Sequence, residues 1–148
     1  MRYAAVYRRA DSLLVHPWSE GAGTRARFIH EPFFALPDGA TDRDLGERII
    51  SALEASRTGA QWPSQEELSS SERRQWAAVG TRSRRDFANG TLLVNAQAAS
   101  DGTLELTPTT FRGPPVGWRP LADRTMVASE AEPEALGKLV REALAMCN

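Results

Sequence analysis

A chain of 148 residues, 41% apolar and 25% charged, can bury one sizeable core, so the reading is a single domain over residues 1–148. A formal net charge of −1 argues against a dedicated nucleic-acid binder, which draws its affinity from a surplus of cations. Without a run of 18 apolar residues or a secretory leader behind Arg2, Arg8 and Arg9, and with Cys147 as the lone cysteine, the expectation is a soluble, cytoplasmic protein with no disulfide and no membrane contact.

Tyr3 to Tyr7 and Ser12 to His16 read as two strands of a hairpin around the polar break Arg8-Arg9-Ala10-Asp11. A glycine-rich loop from Ser19 to Thr24 follows. Arg27 to His30 and Phe33 to Leu36 then read as a strand interrupted at Pro32, and Pro37-Asp38-Gly39 turns the chain.

The first helix opens at Thr41, whose hydroxyl can accept from the Asp44 amide, and its apolar stripe is Leu45, Ile49, Ala52 and Leu53. The same helix returns 91 positions later as Leu136, Val140, Ala143 and Leu144, opened by Pro133. Each copy follows a short apolar stretch, Phe33-Phe34-Ala35-Leu36 or Thr125-Met126-Val127-Ala128. Gly46 and Gly137 hold equivalent positions. A glycine inside a helix costs about 1 kcal/mol relative to alanine, so two at one position of a repeat predict that a sheet or a helix passes too close for a Cβ.

Between the copies, Ser64 with Glu67 forms a capping box for a helix from Gln65 to Ala78, which Gly80 ends. Ser83 repeats the box before Phe87. Thr91 to Ala96 and Thr103 to Thr107 form the clearest hairpin, joined through Ser100-Asp101-Gly102. Thr110 to Pro120 reads as a loop ending near Trp118, and Arg124 to Ser129 as the last strand before the final helix. The fold class is therefore α+β: a single domain whose mixed or mainly antiparallel sheet carries about three helices.

No motif specifies a reaction. His16 and His30 are the two groups of ordinary pKa near neutrality, each close before a proline at an expected strand end. Two readings stand open: a paired-histidine RNA-cleaving or RNA-binding site joined to Arg73, Arg74, Arg82, Arg84 and Arg85, or packing histidines beside a solvated helix end. Gly113-Pro114-Pro115-Val116-Gly117 lacks the amide donors of a phosphate loop, and Cys147 reads as a small packed hydrophobe rather than a metal ligand. Charge is uneven: eight acidic residues face three arginines between Asp38 and Glu72, whereas Arg73 to Arg85 holds five arginines and no acid. Acidic surface suits a cationic partner, because opposite potentials steer encounter.

From about Phe33 onward the chain resembles the immunity proteins of bacterial contact-dependent growth inhibition systems. The resemblance lies in the order and spacing of Asp44-Leu45-Gly46 with Ala52-Leu53, Trp62-Pro63, Thr81 to Phe87, Leu104-Glu105-Leu106-Thr107-Pro108, and Leu136-Gly137 with Ala143-Leu144. It implies a non-enzymatic inhibitor that binds the C-terminal toxin domain, often a nuclease, of a cognate secreted protein. A one-to-one complex is expected, with no cofactor, metal, nucleic acid or small-molecule ligand. Asp38, Asp42, Asp44, Glu47, Glu66 and Glu67 are the candidate toxin contacts, chosen from the acidic stretch.

Overall fold

The computed structural model describes every residue except Pro115, so that member of the Gly113–Gly117 loop lies outside the described residues. Among the described residues eight strands form one sheet: β1 (Arg2–Arg9), β2 (Ser12–Glu20), β3 (Arg27–Ile29), β4 (Phe34–Pro37), β5 (Thr91–Ala98), β6 (Thr103–Phe111), β7 (Trp118–Pro120) and β8 (Met126–Ser129). Four helices join them: α1 (Asp42–Ala55), α2 (Gln65–Ala78), the single-turn α3 (Arg84–Ala88) and α4 (Pro133–Ala145). The path is β3-β2-β1-β5-β6-β7, with β4 also on β2 and β8 also on β6, and every strand pair is antiparallel.

Three expected boundaries shift, each for a local reason. The segment read as one strand broken at Pro32 is two strands, β3 and β4, which pair with different stretches of β2. His16 does not end a strand: β2 runs through Pro17 to Glu20. Pro17 lacks an amide hydrogen, yet it sits where the outer neighbour changes from β4, on residues 12–15, to β3, on residues 18–20, so no ladder bond is lost there. The loop expected from Thr110 to Pro120 is shorter, because β6 extends to Phe111 and residues 118–120 return as β7.

Duplication extends far beyond the helices. Leu13 and Leu104, Val15 and Leu106, and Pro17 and Pro108 all stand 91 positions apart, on β2 and β6. Pro108 occupies the matching junction, between the β8-paired residues 103–106 and the β7-paired residues 109–111. Strand partners correspond too: Leu13 pairs with Leu36 as Leu104 pairs with Ala128, and Glu20 with Arg27 as Phe111 with Trp118. In the central ladder Arg8 pairs with Leu92 and Arg2 with Ala98, so a half-turn about the Ala5–Asn95 pair maps β1 onto β5 and the ladder onto itself. The domain is thus two ββββα units related by a pseudo-dyad.

The two repeat helices meet at that dyad on one face of the sheet. A Cβ on Gly46 would lie 1.8 Å from the Pro133 carbonyl oxygen, and one on Gly137 would lie 1.8 Å from that of Asp42. Each glycine therefore receives the first turn of the other helix, which settles the sequence alternative in favour of a helix. Both predicted stripes are fully buried and close one core with Val6, Val15, Val94 and Leu106. Arg141 fastens the pair from outside: its Nε donates to Asp42 Oδ1 at 2.9 Å, and Nη1 donates to the Asp38 carbonyl at 2.9 Å.

On the opposite face α2 rests on the first repeat. Thr41, Ser64 and Ser83 cap their helices as expected, with the reciprocal Glu67 bond at Ser64. Gln75, buried, donates from Nε2 to Tyr7 Oη at 3.2 Å and to His16 Nε2 at 3.0 Å. That fixes the His16 tautomer, since Nδ1–H then donates to the Pro17 carbonyl at 3.0 Å. Burial pushes this imidazole down to about 4, against a smaller upward pull from the Pro17 bond.

Two predictions follow from this packing. Gly46→Ala and Gly137→Ala should each destabilise by at least about 2 kcal/mol despite alanine's better helix propensity, because backbone rather than a side chain stands in the way. Thermal unfolding should show a Tm lower by roughly 5 °C or more, and a raised Tm for either variant would contradict the crossing. In the unfolded chain His16 takes a proton near its ordinary 6.5, whereas in the folded chain it does so only near 4. The unfolded state thus binds more protons between those values. His16's contribution is full above pH 6.5 and is lost as pH falls toward 4, by up to about 3 kcal/mol. Urea unfolding at pH 7 and pH 4.5 should show a larger loss for the unmodified protein than for His16→Gln; equal losses would refute the burial argument.

Candidate partner-binding face

The face bearing α2 is aromatic because the inward pattern of β1 and β2 places Tyr7, Leu14, His16 and Trp18 there, while α3 adds Phe87. Trp118 closes the cluster edge-on against Tyr7 and Phe87, and its Nε1–H donates to the Thr91 carbonyl at 3.1 Å. These rings are held by packing and hydrogen bonds together, so the surface they build is rigid.

Residues 56–64 wrap from α1 around the far end of β2 to α2. Ser56 Oγ donates to the Trp18 carbonyl at 2.5 Å and accepts from the Tyr3 amide at 2.9 Å. Farther along, the Ala60 amide donates to Glu20 at 3.0 Å and the Ala22 amide to Ala60 at 2.8 Å, which makes a short parallel bridge between Gly21 and Ala60. Trp62 can then lie on Gly21, where a Cβ would stand 2.7 Å from the indole, and it meets Phe28 edge-on. Trp62 remains 45% exposed, an unusual cost for so large an apolar ring unless something covers it.

Two open clefts flank that indole. The larger, about 1110 Å³, is lined by His30, Arg57, Trp62, Glu67, Ser70 and Arg74 among others. The smaller, about 470 Å³, is lined by all four tryptophans of the chain, Trp18, Trp62, Trp76 and Trp118, with Arg27 and Arg84 also on its wall. Arg74 pairs with Glu31 at 2.6 Å and Arg84 with Glu72 at 2.5 Å, so two of the five clustered arginines are matched by carboxylates. Arg73, Arg82 and Arg85 are exposed.

The six acidic candidates do not gather on one surface. Asp38 and Asp42 bind Arg141, and Asp38 also meets Arg8 at 3.2 Å. Asp44 and Glu47 are exposed on α1, where Glu47 pairs with Arg43 at 3.1 Å. Glu66 and Glu67 are exposed at the start of α2 on the opposite side of the sheet, and Glu67 lines the larger cleft.

The histidines do not form a pair at an open site either. His16 is sealed beneath α2 with both ring nitrogens engaged. His30 donates from Nδ1 to the Glu31 carbonyl at 2.7 Å and accepts at Nε2 from Ser19 Oγ at 2.5 Å, while the Arg57 amide donates to that same hydroxyl at 2.9 Å. Burial lowers the His30 pKa, opposed by its bond to the Glu31 carbonyl. Cys147 is a half-buried packed thiol whose Sγ–H donates to the Leu93 carbonyl at 3.3 Å, and burial raises its pKa. Among the described residues no three His, Cys, Asp or Glu side chains gather as metal ligands. Sequence reasoning missed the tryptophan cleft, since its four members share no element and no spacing; the exposed ring beside Pro63 in a polar stretch was the one available signal.

The family model described as CDI immunity protein matches residues 2–147. No curated protein sequence matches the chain. Among solved structures, a protein of unknown function from Neisseria meningitidis superposes with a TM-score of 0.80 at 21% identity, over 99% of this chain and 95% of that one. One chain of the CdiA-CT/CdiI toxin and immunity complex from Yersinia pseudotuberculosis superposes with a TM-score of 0.79 at 17% identity, over 99% of this chain and 97% of that one. At such identities the two structures establish the shared fold, and the near full-length match to the family model establishes the rest: this chain belongs to the CDI immunity protein family.

Proposed function

We propose that this chain binds the C-terminal toxin domain of a cognate contact-dependent growth inhibition protein, one to one in the cytoplasm, and holds it inactive without making or breaking any bond itself. The observation that carries the reading is the family match over residues 2–147, reinforced by the fold shared with a chain of a toxin and immunity complex. Absence of turnover is supported by the histidines: acid–base work asks for an accessible imidazole that titrates near neutrality, and here one is sealed and the other has both nitrogens engaged.

The toxin domain in this proposal is a nuclease, whose cationic surface, built to hold a phosphate backbone, would meet the exposed carboxylates of the immunity protein. Asp44, Glu47, Glu66 and Glu67 are all exposed to act this way, Glu47 beside Arg43 and Glu67 closing the cap of α2. They stand on two sides of the molecule, so their role is long-range steering more than a single contact patch. Asp38 and Asp42 already hold Arg141, and their loss would act through folding.

Co-expression with the toxin domain encoded by the adjacent reading frame should yield a co-purifying complex and surviving cells; death of the host despite a folded immunity protein would overturn the proposal. Cleavage of RNA by the purified chain alone, abolished in His30→Ala, would replace it with the catalytic reading. Reversing Glu66 and Glu67 to lysine should slow association by roughly tenfold at low salt and flatten its salt dependence. Unchanged association rates would assign the steering to Asp44 and Glu47 instead.

A further inference from the structure

The pseudo-dyad separates what the scaffold needs from what has been added to it. Each unit supplies four strands and a helix in matching register, and even the loops from β2 to β3 and from β6 to β7 are equal, residues 21–26 and 112–117. One long segment, residues 58–90, links the two units; before it Ser56 and Arg57 still follow the repeat, since the Arg57 carbonyl accepts from the Glu20 amide as the Asn148 carbonyl accepts from the Phe111 amide. It is far longer than a connection requires. The Ser56 hydroxyl accepts from the Tyr3 amide, and Thr91 pairs with Arg9, so the link must travel along β1 from Tyr3 to Arg9, about 20 Å, which roughly six or seven extended residues can cross. The chain spends residues 58–90 on it.

Part of that length covers the aromatic face of the first unit, which the second unit does not need, since its equivalent surface carries the polar Asn95, Gln97, Glu105 and Thr107. A cover alone would seal what it covers. This one leaves Trp62 45% exposed between two clefts and seats it with a parallel bridge and against a glycine whose Cβ would collide with it. A rigid, half-exposed indole with arginines around it has the composition of an energetic anchor in a protein interface.

Resting on the toxin-binding reading above, we propose that the linking segment, residues 58–90, is the toxin-recognition module. Trp62 is its anchor, and the two clefts beside it receive an apolar side chain and neighbouring backbone of the toxin domain. The duplicated scaffold holds the module in place, and the outward surface of α4 makes no contact with the toxin domain.

The test is calorimetric titration, at 0.15 M salt, of the purified toxin domain from the adjacent reading frame into four forms of the full chain. These are the unmodified protein, Trp62→Ala, Ser70→Arg and the charge-swapped double variant Lys138→Glu/Glu142→Lys, both positions exposed on α4. Ser70 is exposed on α2 and lines the larger cleft, so arginine there obstructs the cleft without touching the core, and it keeps the test decisive should Trp62→Ala lower stability. Trp62→Ala and Ser70→Arg should each raise Kd by at least about thirtyfold, whereas the α4 double variant should stay within about threefold. Ser70→Arg binding as tightly as the unmodified protein, or the α4 double variant losing binding, would overturn the assignment of the module. No binding by the unmodified protein would instead overturn the toxin reading on which the assignment rests.

Discussion

Everything in this fold depends on two helices approaching closer than side chains allow. With no Cβ at Gly46 or Gly137, α1 and α4 bring backbone against backbone at both ends of their crossing, and each helix start is lodged against the other's glycine. That approach determines how near the two halves of the core can come. The leucines, valines and alanines of β1, β2, β5 and β6 form one buried cluster with both helices. The sheet's central β1–β5 ladder carries the same dyad, so helices and strands enforce one symmetry from two layers.

The helical part of this arrangement was legible in the residues and the strand part was not, for a physical reason. A buried helical stripe needs apolar residues at fixed turns, so Leu45, Ile49, Ala52 and Leu53 and their mates stand out against polar neighbours. A strand's inward face tolerates exchange among Leu, Val and Ala, and only Leu13/Leu104 and Pro17/Pro108 survive as identities on β2 and β6. The offset also slips, from 90 between Arg8 and Ala98 to 91 on the next strand and 92 between Leu36 and Ala128, because connections of different length intervene. No single period could align the two halves. His16 was misplaced for a related reason: Pro17 reads locally as a strand end, and only the change of neighbour on the outer side of β2 makes it acceptable in mid-strand.

The charges tell a similar story about what a linear reading can reach. The acidic stretch and the arginine run are real in sequence, yet folding distributes the first over both sides of the sheet and pairs part of the second with Glu31 and Glu72. Asp38 and Asp42 prove to be internal fasteners for Arg141. What emerges is a packed aromatic face, its fully buried imidazole neutral at physiological pH and locked by Gln75.

The interlocked helices also bear on how the protein comes into being. Residues that complete one core cluster lie about ninety positions apart, so a nascent chain that has delivered α1 from the ribosome still has nothing to seat it against. The first half must wait, with its apolar side uncovered, until the second arrives. Maturation is therefore all-or-nothing: a message cut short before α4 would leave no partly working molecule behind, only material for the cell's proteases.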